Sequence, residues 1–203
     1  MACTNCPGAI SVCAIDIAPG QFIRINGMYK LNDFNRARFI QWSPYQNLTC
    51  GYYVGKNPGK NRSPEEYQYM KQTEKVREGY WCRFVACVCV CVCVCVWENG
   101  LTRVLVLQVD VYSLGNIFYM LLQEEWPFED IEDENEAQEL VIQGVRPSFD
   151  EVVWNSTNPV DQVLKEAMIM CHQQNVTKRS SARQVESFLK SKVGELFPGT
   201  LAA

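Results

Sequence analysis

The sequence predicts a mainly α fold carrying one small β-hairpin, and three observations predict it. Phe22-Ile23-Arg24-Ile25 and Tyr29-Lys30-Leu31 are short alternating segments joined by Asn26-Gly27, the dipeptide that best supplies the two positive-φ positions of a tight hairpin turn. Residues 109–122 are apolar around most of a helical circumference, through Val111, Leu114, Ile117, Phe118, Met120, Leu121 and Leu122. That pattern belongs to a helix buried on several sides. Residues 135–142, 160–171 and 182–193 read as further amphipathic helices.

Each boundary has a local cause. Ser63-Pro64-Glu65-Glu66 combines a capping serine, a proline at the first helical position and a glutamate at the third, so a short helix should run to about Met70. Residues 109–122 should then form the central helix of the domain. Nine of the sixteen residues at 124–139 are acidic, which reads as a solvated loop entering a helix rather than a docking surface for basic partners. Ser181-x-x-Gln184 is a capping box opening the last helix. His172 falls at a helix end, where polar or positively charged residues are common, and has no nearby nucleophile. It reads as a helix-end residue rather than a catalyst.

Composition narrows the function classes. A chain of 203 residues, 47% apolar and 21% charged, holds one domain with a real core, or at most two small ones, and is not disordered. Nineteen basic and twenty-three acidic side chains give a net charge of −4, so no nucleic-acid partner is expected. The longest uncharged apolar stretch, 84–97, has fourteen residues, short of the roughly 20 a membrane span needs. The N-terminus has no basic residue ahead of its apolar part and does not read as a secretory signal. It reads as a chain that starts mid-stream.

Of eleven cysteines, five lie in residues 87–96, which read CVCVCVCVCV. As a strand this would place all five thiols on one face and would be prone to aggregate. One strand aims its thiols in parallel and cannot wrap them tetrahedrally around zinc, and Cys3-x-x-Cys6 lacks a second ordered pair. A thiol-rich metal or redox protein is therefore a reading that rests on the repeat alone. A run of alternating G and T bases translates as alternating Val and Cys. Val76-Arg77 can be encoded by a typical intron start and Gln108 by a typical intron end, so residues 76–108 read as a retained intron. Deleting those thirty-three residues gives the junction TEKVDVYSLG.

Asp16 and Asp33, seventeen residues apart, flank the hairpin. A hairpin brings its ends together, so the two carboxylates could share a site, one orienting a hydroxyl nucleophile and the other holding a divalent cation. On spacing alone, two exposed turn aspartates are the weightier reading.

Asp16-Ile17-Ala18-Pro19-Gly20-Gln21, the hairpin, and Asp33-Phe34-Asn35 resemble the catalytic loop and metal-binding motif of protein kinases. Downstream, Ser63-Pro64-Glu65 resembles the A-P-E motif, Asp110-Val111-Tyr112-Ser113-Leu114-Gly115 resembles the start of that family's central helix, and Arg179 falls at its late arginine. The resemblance covers 14–75 and 109–193. It divides the chain into an unassigned segment 1–13, a kinase-like C-terminal lobe 14–193 interrupted at 76–108, and a tail 194–203. Glu65 and Asp110 are forty-five residues apart, and removing thirty-three leaves twelve, a link of the short length usual there.

The resemblance implies transfer of the ATP γ-phosphoryl group to a hydroxyl of a protein substrate, with ATP and Mg²⁺ as cofactors. Asp16 would be the catalytic aspartate, Asp33 the Mg²⁺ ligand, and Gln21 would stand where the second metal is held. Glu65 and Arg179 would form a buried ion pair, Asp110 would hold the catalytic-loop backbone from below, and residues 36–62, with Arg36, Arg38, Tyr52, Lys56, Lys60 and Arg62, would face the acceptor protein.

The departures also carry expectations. Ala14-Ile15-Asp16 stands for H-R-D, so control through activation-loop phosphorylation is not expected. Ala18 and Pro19 leave serine/threonine or tyrosine acceptors open. Gln21 replaces asparagine and Asn35 replaces glycine, losing its backbone freedom. The Asp-x-x-x-x-Gln stretch is similar to some secretory-pathway kinases, and sequons at Asn47, Asn61, Asn155 and Asn175 suit a lumenal setting. A cytoplasmic setting is the main expectation. No Gly-rich loop or strand lysine precedes Asp16, so the N-terminal lobe is expected to be missing and nucleotide affinity negligible in this chain alone. The alternative is a catalytically dead pseudokinase or truncated scaffold acting by protein binding.

Overall fold

A computed structural model of the protein describes residues 11–13, 17–32, 38–40, 42–43, 48–49, 52–53, 59–68, 71–72 and 108–199. In chain order these form β1 (Ser11–Cys13), a 3-10 turn (Pro19–Gln21), β2 (Phe22–Ile25), β3 (Met28–Leu31), β4 (Arg38–Ile40), β5 (Trp42–Ser43), β6 (Leu48–Thr49), β7 (Tyr52–Tyr53), α1 (Pro64–Tyr67), β8 (Lys71–Gln72), α2 (Gln108–Gln123), α3 (Glu134–Gln143), α4 (Glu151–Trp154), α5 (Pro159–Cys171) and α6 (Ala182–Leu196). The suspected intron, apart from Gln108, and Cys3 and Cys6 lie outside the described residues.

The expected hairpin is present: β2 and β3 pair antiparallel from Phe22↔Leu31 to Ile25↔Met28. Asn26 (φ 51°) and Gly27 (φ 80°) both sit in the left-handed region, as a two-residue turn matched to strand twist requires. It has company, however. β1 pairs with β4, β5 with β6 and β7 with β8, all antiparallel. These ladders are two or three residues long, too short to leave an alternating pattern in the sequence.

The helices start where capping groups satisfy their first N–H groups. Ser63 N–H and Oγ both donate to Glu66 Oε2 at 3.0 Å, and Asn158 accepts from Val160 N–H ahead of Pro159. Gln184 N–H donates to Ser181 Oγ at 3.3 Å while Ser181 N–H donates to Gln184 Oε1 at 2.8 Å. α1 ends at Tyr67, earlier than expected. α4, capped by Asp150, has four residues and no period to announce it.

α2 is the central helix: residues 109–119 are all buried. Val111, Leu114, Phe118 and Tyr119 pack with Ala167, Met168 and Cys171 of α5 and Val185 of α6, each large side chain contributing about 1.5–3 kcal/mol by leaving water. On another face Tyr112 meets Tyr67, Phe128, Ala137 and Val141, which seats α1 and α3. Leu121, counted with the buried set from sequence, is 61% exposed, because the last turn of α2 emerges from the core. The nine acids of 124–139 are all exposed while Pro127 and Phe128 between them are buried. Among the described residues no helix is long and apolar enough to cross a membrane.

Candidate functional site

The hairpin end of the site is built from backbone closure and apolar contact. Gln21 ends the 3-10 turn with its N–H on Ala18 O at 2.9 Å, and its carbonyl accepts from Asn32 N–H at 2.6 Å. Ile17, 5% exposed, packs on Ile117 of α2, with Phe22 and Leu31 against them. The two strands are thereby attached to the central helix through their first and last residues.

Asp16 and Asp33 lie outside the described residues, as does most of 36–62. Their described neighbours are Ile17, anchored on α2, and Asn32, bonded to Gln21. On the far side of both segments, Cys13 and Arg38 are ladder partners. Among the described residues no three His, Cys, Asp or Glu side chains group as a metal site. Gln21 alone, a neutral amide, does not make a site for Mg²⁺, a hard cation that takes carboxylates and water.

The second part is the Glu65–Arg179 pair. Arg179 Nη1 donates to Glu65 Oε1 at 2.7 Å and Nη2 to Glu65 Oε2 at 3.2 Å, a two-pronged contact across 114 residues of chain. The Arg179 side chain is wholly buried and Glu65 nearly so. The guanidinium also donates to Gln108 O at 2.7 Å and Gln173 O at 2.9 Å, with the Tyr112 ring centroid 5.0 Å from its carbon. α1, the first turn of α2 and the α5–α6 connection meet on this one side chain. Removing one partner of such a pair strands a buried charge, at about 3–5 kcal/mol.

Around it the segment entering α1 is clamped. Lys60 Nζ donates to the carbonyls of Phe128 and Ile131, Gly59 N–H to Glu134 Oε2 at 3.2 Å, and Tyr67 Oη to Gly59 O at 2.7 Å. Burial pushes the Glu66 carboxyl upward, opposed mainly by the Arg62 guanidinium 3.4 Å away. The Asp110 carboxylate, buried on the first turn of α2, adds a smaller upward push.

A third group was not legible as a unit. His172 Nε2 lies 2.9 Å from Asn116 Oδ1, and Asn116 Nδ2 donates to Asn61 O at 2.8 Å. His172 stands at the end of α5, as the sequence suggests, and is buried there, its ring 4.7 Å from that of Tyr112 and tilted 35° to it. Burial, with Arg146 and Arg179 nearby, pulls its pKa down to about 3, so the ring is neutral and its position at the end of α5 contributes no charge. The only sequence signal was Asn116 itself, a polar residue inside an apolar helix, where a buried amide must find partners. Gly115 permits the approach: a Cβ there would lie 2.5 Å from His172 Cδ2. The neighbouring Cys171 thiol is buried and pushed up to about 12, which leaves it unreactive.

No family model matches the sequence and no curated protein matches it. Among solved structures the chain is similar to the twitchin kinase region from C. elegans, at 17% identity and a TM-score of 0.55. The likeness covers 87% of this chain. The fold is kinase-like. The chain spans about a quarter of the length of that twitchin chain, 24%. Within the kinase-like fold, Gln21, Glu65, Asp110 and Arg179 are described, and of these the structure joins Glu65 to Arg179 directly.

Proposed function

We propose that this chain carries the acceptor half of a protein-kinase-type site, which transfers the ATP γ-phosphoryl group to a protein hydroxyl once an ATP-binding N-terminal lobe completes it. The observation that supports it most is the Glu65–Arg179 pair, because it joins two sequence-distant motifs in the order the resemblance requires, within a kinase-like fold. The Gln21–Asn32 closure adds weight, since it holds together the chain on either side of the hairpin.

In this reading Asp16 accepts the proton of the attacking hydroxyl, whose oxygen bonds to phosphorus as the bond to the ADP oxygen breaks. Asp33, with Gln21, would hold the magnesium that screens the phosphate charge when nucleotide is bound. Glu65, Asp110 and Arg179 position the loop rather than react. Residues 59–63, clamped to α3, present the end of the acceptor-facing segment on a rigid support.

A second reading, a binding scaffold without catalysis, is favoured by one feature: Gln21 and Asn35 stand where the family pattern has asparagine and glycine. The discriminating experiment takes the endogenous product from its own cells and measures Mg²⁺-dependent transfer of label from γ-labelled ATP to mixed protein acceptors. The phosphotransferase reading expects labelling that falls at least a hundredfold in Asp16→Asn and in Asp33→Asn. A folded product that transfers nothing overturns it and leaves the scaffold.

A further inference from the structure

One cavity has no part in phosphoryl transfer. It holds about 510 Å³ between the loop after α3, the short helix α4 and the last turns of α5, a volume within the range of small-molecule sites. Phe149, Trp154, Met168 and Ile169 give it apolar walls. The wall is held in place from behind: Phe149 meets Tyr119 edge-on at 5.0 Å and Trp154 at 5.1 Å between ring centroids. Met168 is part of the core and forms the floor, while Trp154 and Ile169 are 42% and 46% exposed, so the outer wall of the hollow is open to solvent.

Arg146 sits on the same lining and supplies a charge. Its guanidinium donates to Tyr112 Oη at 3.3 Å, to Gln174 Oε1 at 3.2 Å from both terminal nitrogens, and to His172 O. Every one of these acceptors is neutral. Among the described residues no carboxylate pairs with Arg146, its Nε–H has no acceptor, and none of the residues lining the cavity is acidic. A half-buried cation beside an apolar hollow, with no anion of the protein's own, suits a ligand with a negative head and an apolar body.

We propose that this cavity binds a small amphipathic carboxylate, its apolar body against Trp154, Phe149, Met168 and Ile169 and its carboxylate at Arg146. The site is independent of the phosphotransfer reading and stands or falls without it.

Calorimetric titration of the full chain with decanoate, 1-naphthoate and decylammonium tests this. Saturable binding of at least one carboxylate at one site is expected, with decylammonium at least tenfold weaker. The tighter of the two carboxylates assigns an alkyl or an aryl body. Ile169→Asp places a negative charge at the exposed wall and should weaken carboxylate binding at least tenfold with the melting temperature unchanged. Arg146→Gln should weaken it similarly, but this side chain also holds the His172 carbonyl and the Gln174 side chain, so the Ile169 variant is the cleaner test. No saturable heat from either carboxylate, decylammonium binding as tightly, or undiminished affinity in Ile169→Asp would overturn the proposal.

Discussion

Residues 108–199 and residues 11–72 are held together by different means. The helical half buries one continuous row along α2 and packs it against α5 and α6, with capping groups at α3, α4, α5 and α6. Among the described residues the β half holds four two-stranded ladders of two to four residue pairs each. A two-stranded ribbon is marginal on its own in water, and the β2–β3 ribbon leans on α2 through Ile17, Phe22 and Leu31 around Ile117, while residues 59–67 are tied to the helical half by Lys60 on the carbonyls before α3 and by Glu65 on Arg179. The comparison teaches that the chemistry assigned to the hairpin rests on a foundation that lies elsewhere in the chain.

The sharpest way to break the comparison is Arg179→Ala. It leaves Glu65 buried without its cation and removes the donor to Gln108 O, so a loss of about 3–5 kcal/mol is expected, read by urea unfolding. If the segment entering α1 depends on this pair, amide exchange at residues 59–67 should speed up before the helical circular dichroism signal is lost.

Gly115→Ala comes next. The added methyl meets the His172 ring and Cys171 Cβ at 2.5–2.8 Å, and overpacking at such a contact costs about 1–3 kcal/mol. The melting temperature should drop with both halves still unfolding together.

Ser181→Ala removes the acceptor for Gln184 N–H and should cost about 0.5–2 kcal/mol, confined to α6 and visible as faster amide exchange in its first turn.

Acid sharpens the same contrast through His172. Its folded pKa is depressed to about 3 against roughly 6.5 unfolded, so between those values the unfolded chain binds the extra proton. The stabilisation is complete above about pH 6.5 and is lost as pH falls toward 3. His172→Gln, measured against the parent chain so that the carboxylates cancel, should show a shallower fall in melting temperature between pH 7 and pH 4.5.

The smallest expected effect is on the deletion of residues 76–108. The bond from Arg179 reaches a backbone carbonyl at position 108, which Lys75 supplies equally well at the new junction. A melting temperature within about 2 °C of the parent is expected, and a collapse of the helical signal would show that the segment is part of the fold.

Much of the helical half was legible because its determinants are local. Ser63-Pro64-Glu65-Glu66, Ser181-x-x-Gln184 and Asn26-Gly27 each act within four residues, and the apolar surface of 109–122 announces a surrounded helix. Boundaries slipped where no side chain marks them: α6 continues three residues past 193, and α1 stops short. Of the candidate site, the resemblance singled out Glu65 and Arg179 as partners, and the structure has them 2.7 Å apart. Asp16 and Asp33 lie outside the described residues. His172, Asn116 and Arg146 were unreadable as a group, since residues 116, 146 and 172 belong to three separate local patterns.

The amino-acid order by itself determined where helices begin, where the hairpin turns and which helix must be surrounded, since these follow from hydrogen bonds and periodicities spanning a few residues. Only the tertiary structure decided that His172 is a neutral buried partner of Asn116, that Leu121 faces water, and that Arg146 has neutral acceptors beside an apolar hollow. Those outcomes depend on which atoms from distant segments share a desolvated space, and burial and charge pairing have no local signature.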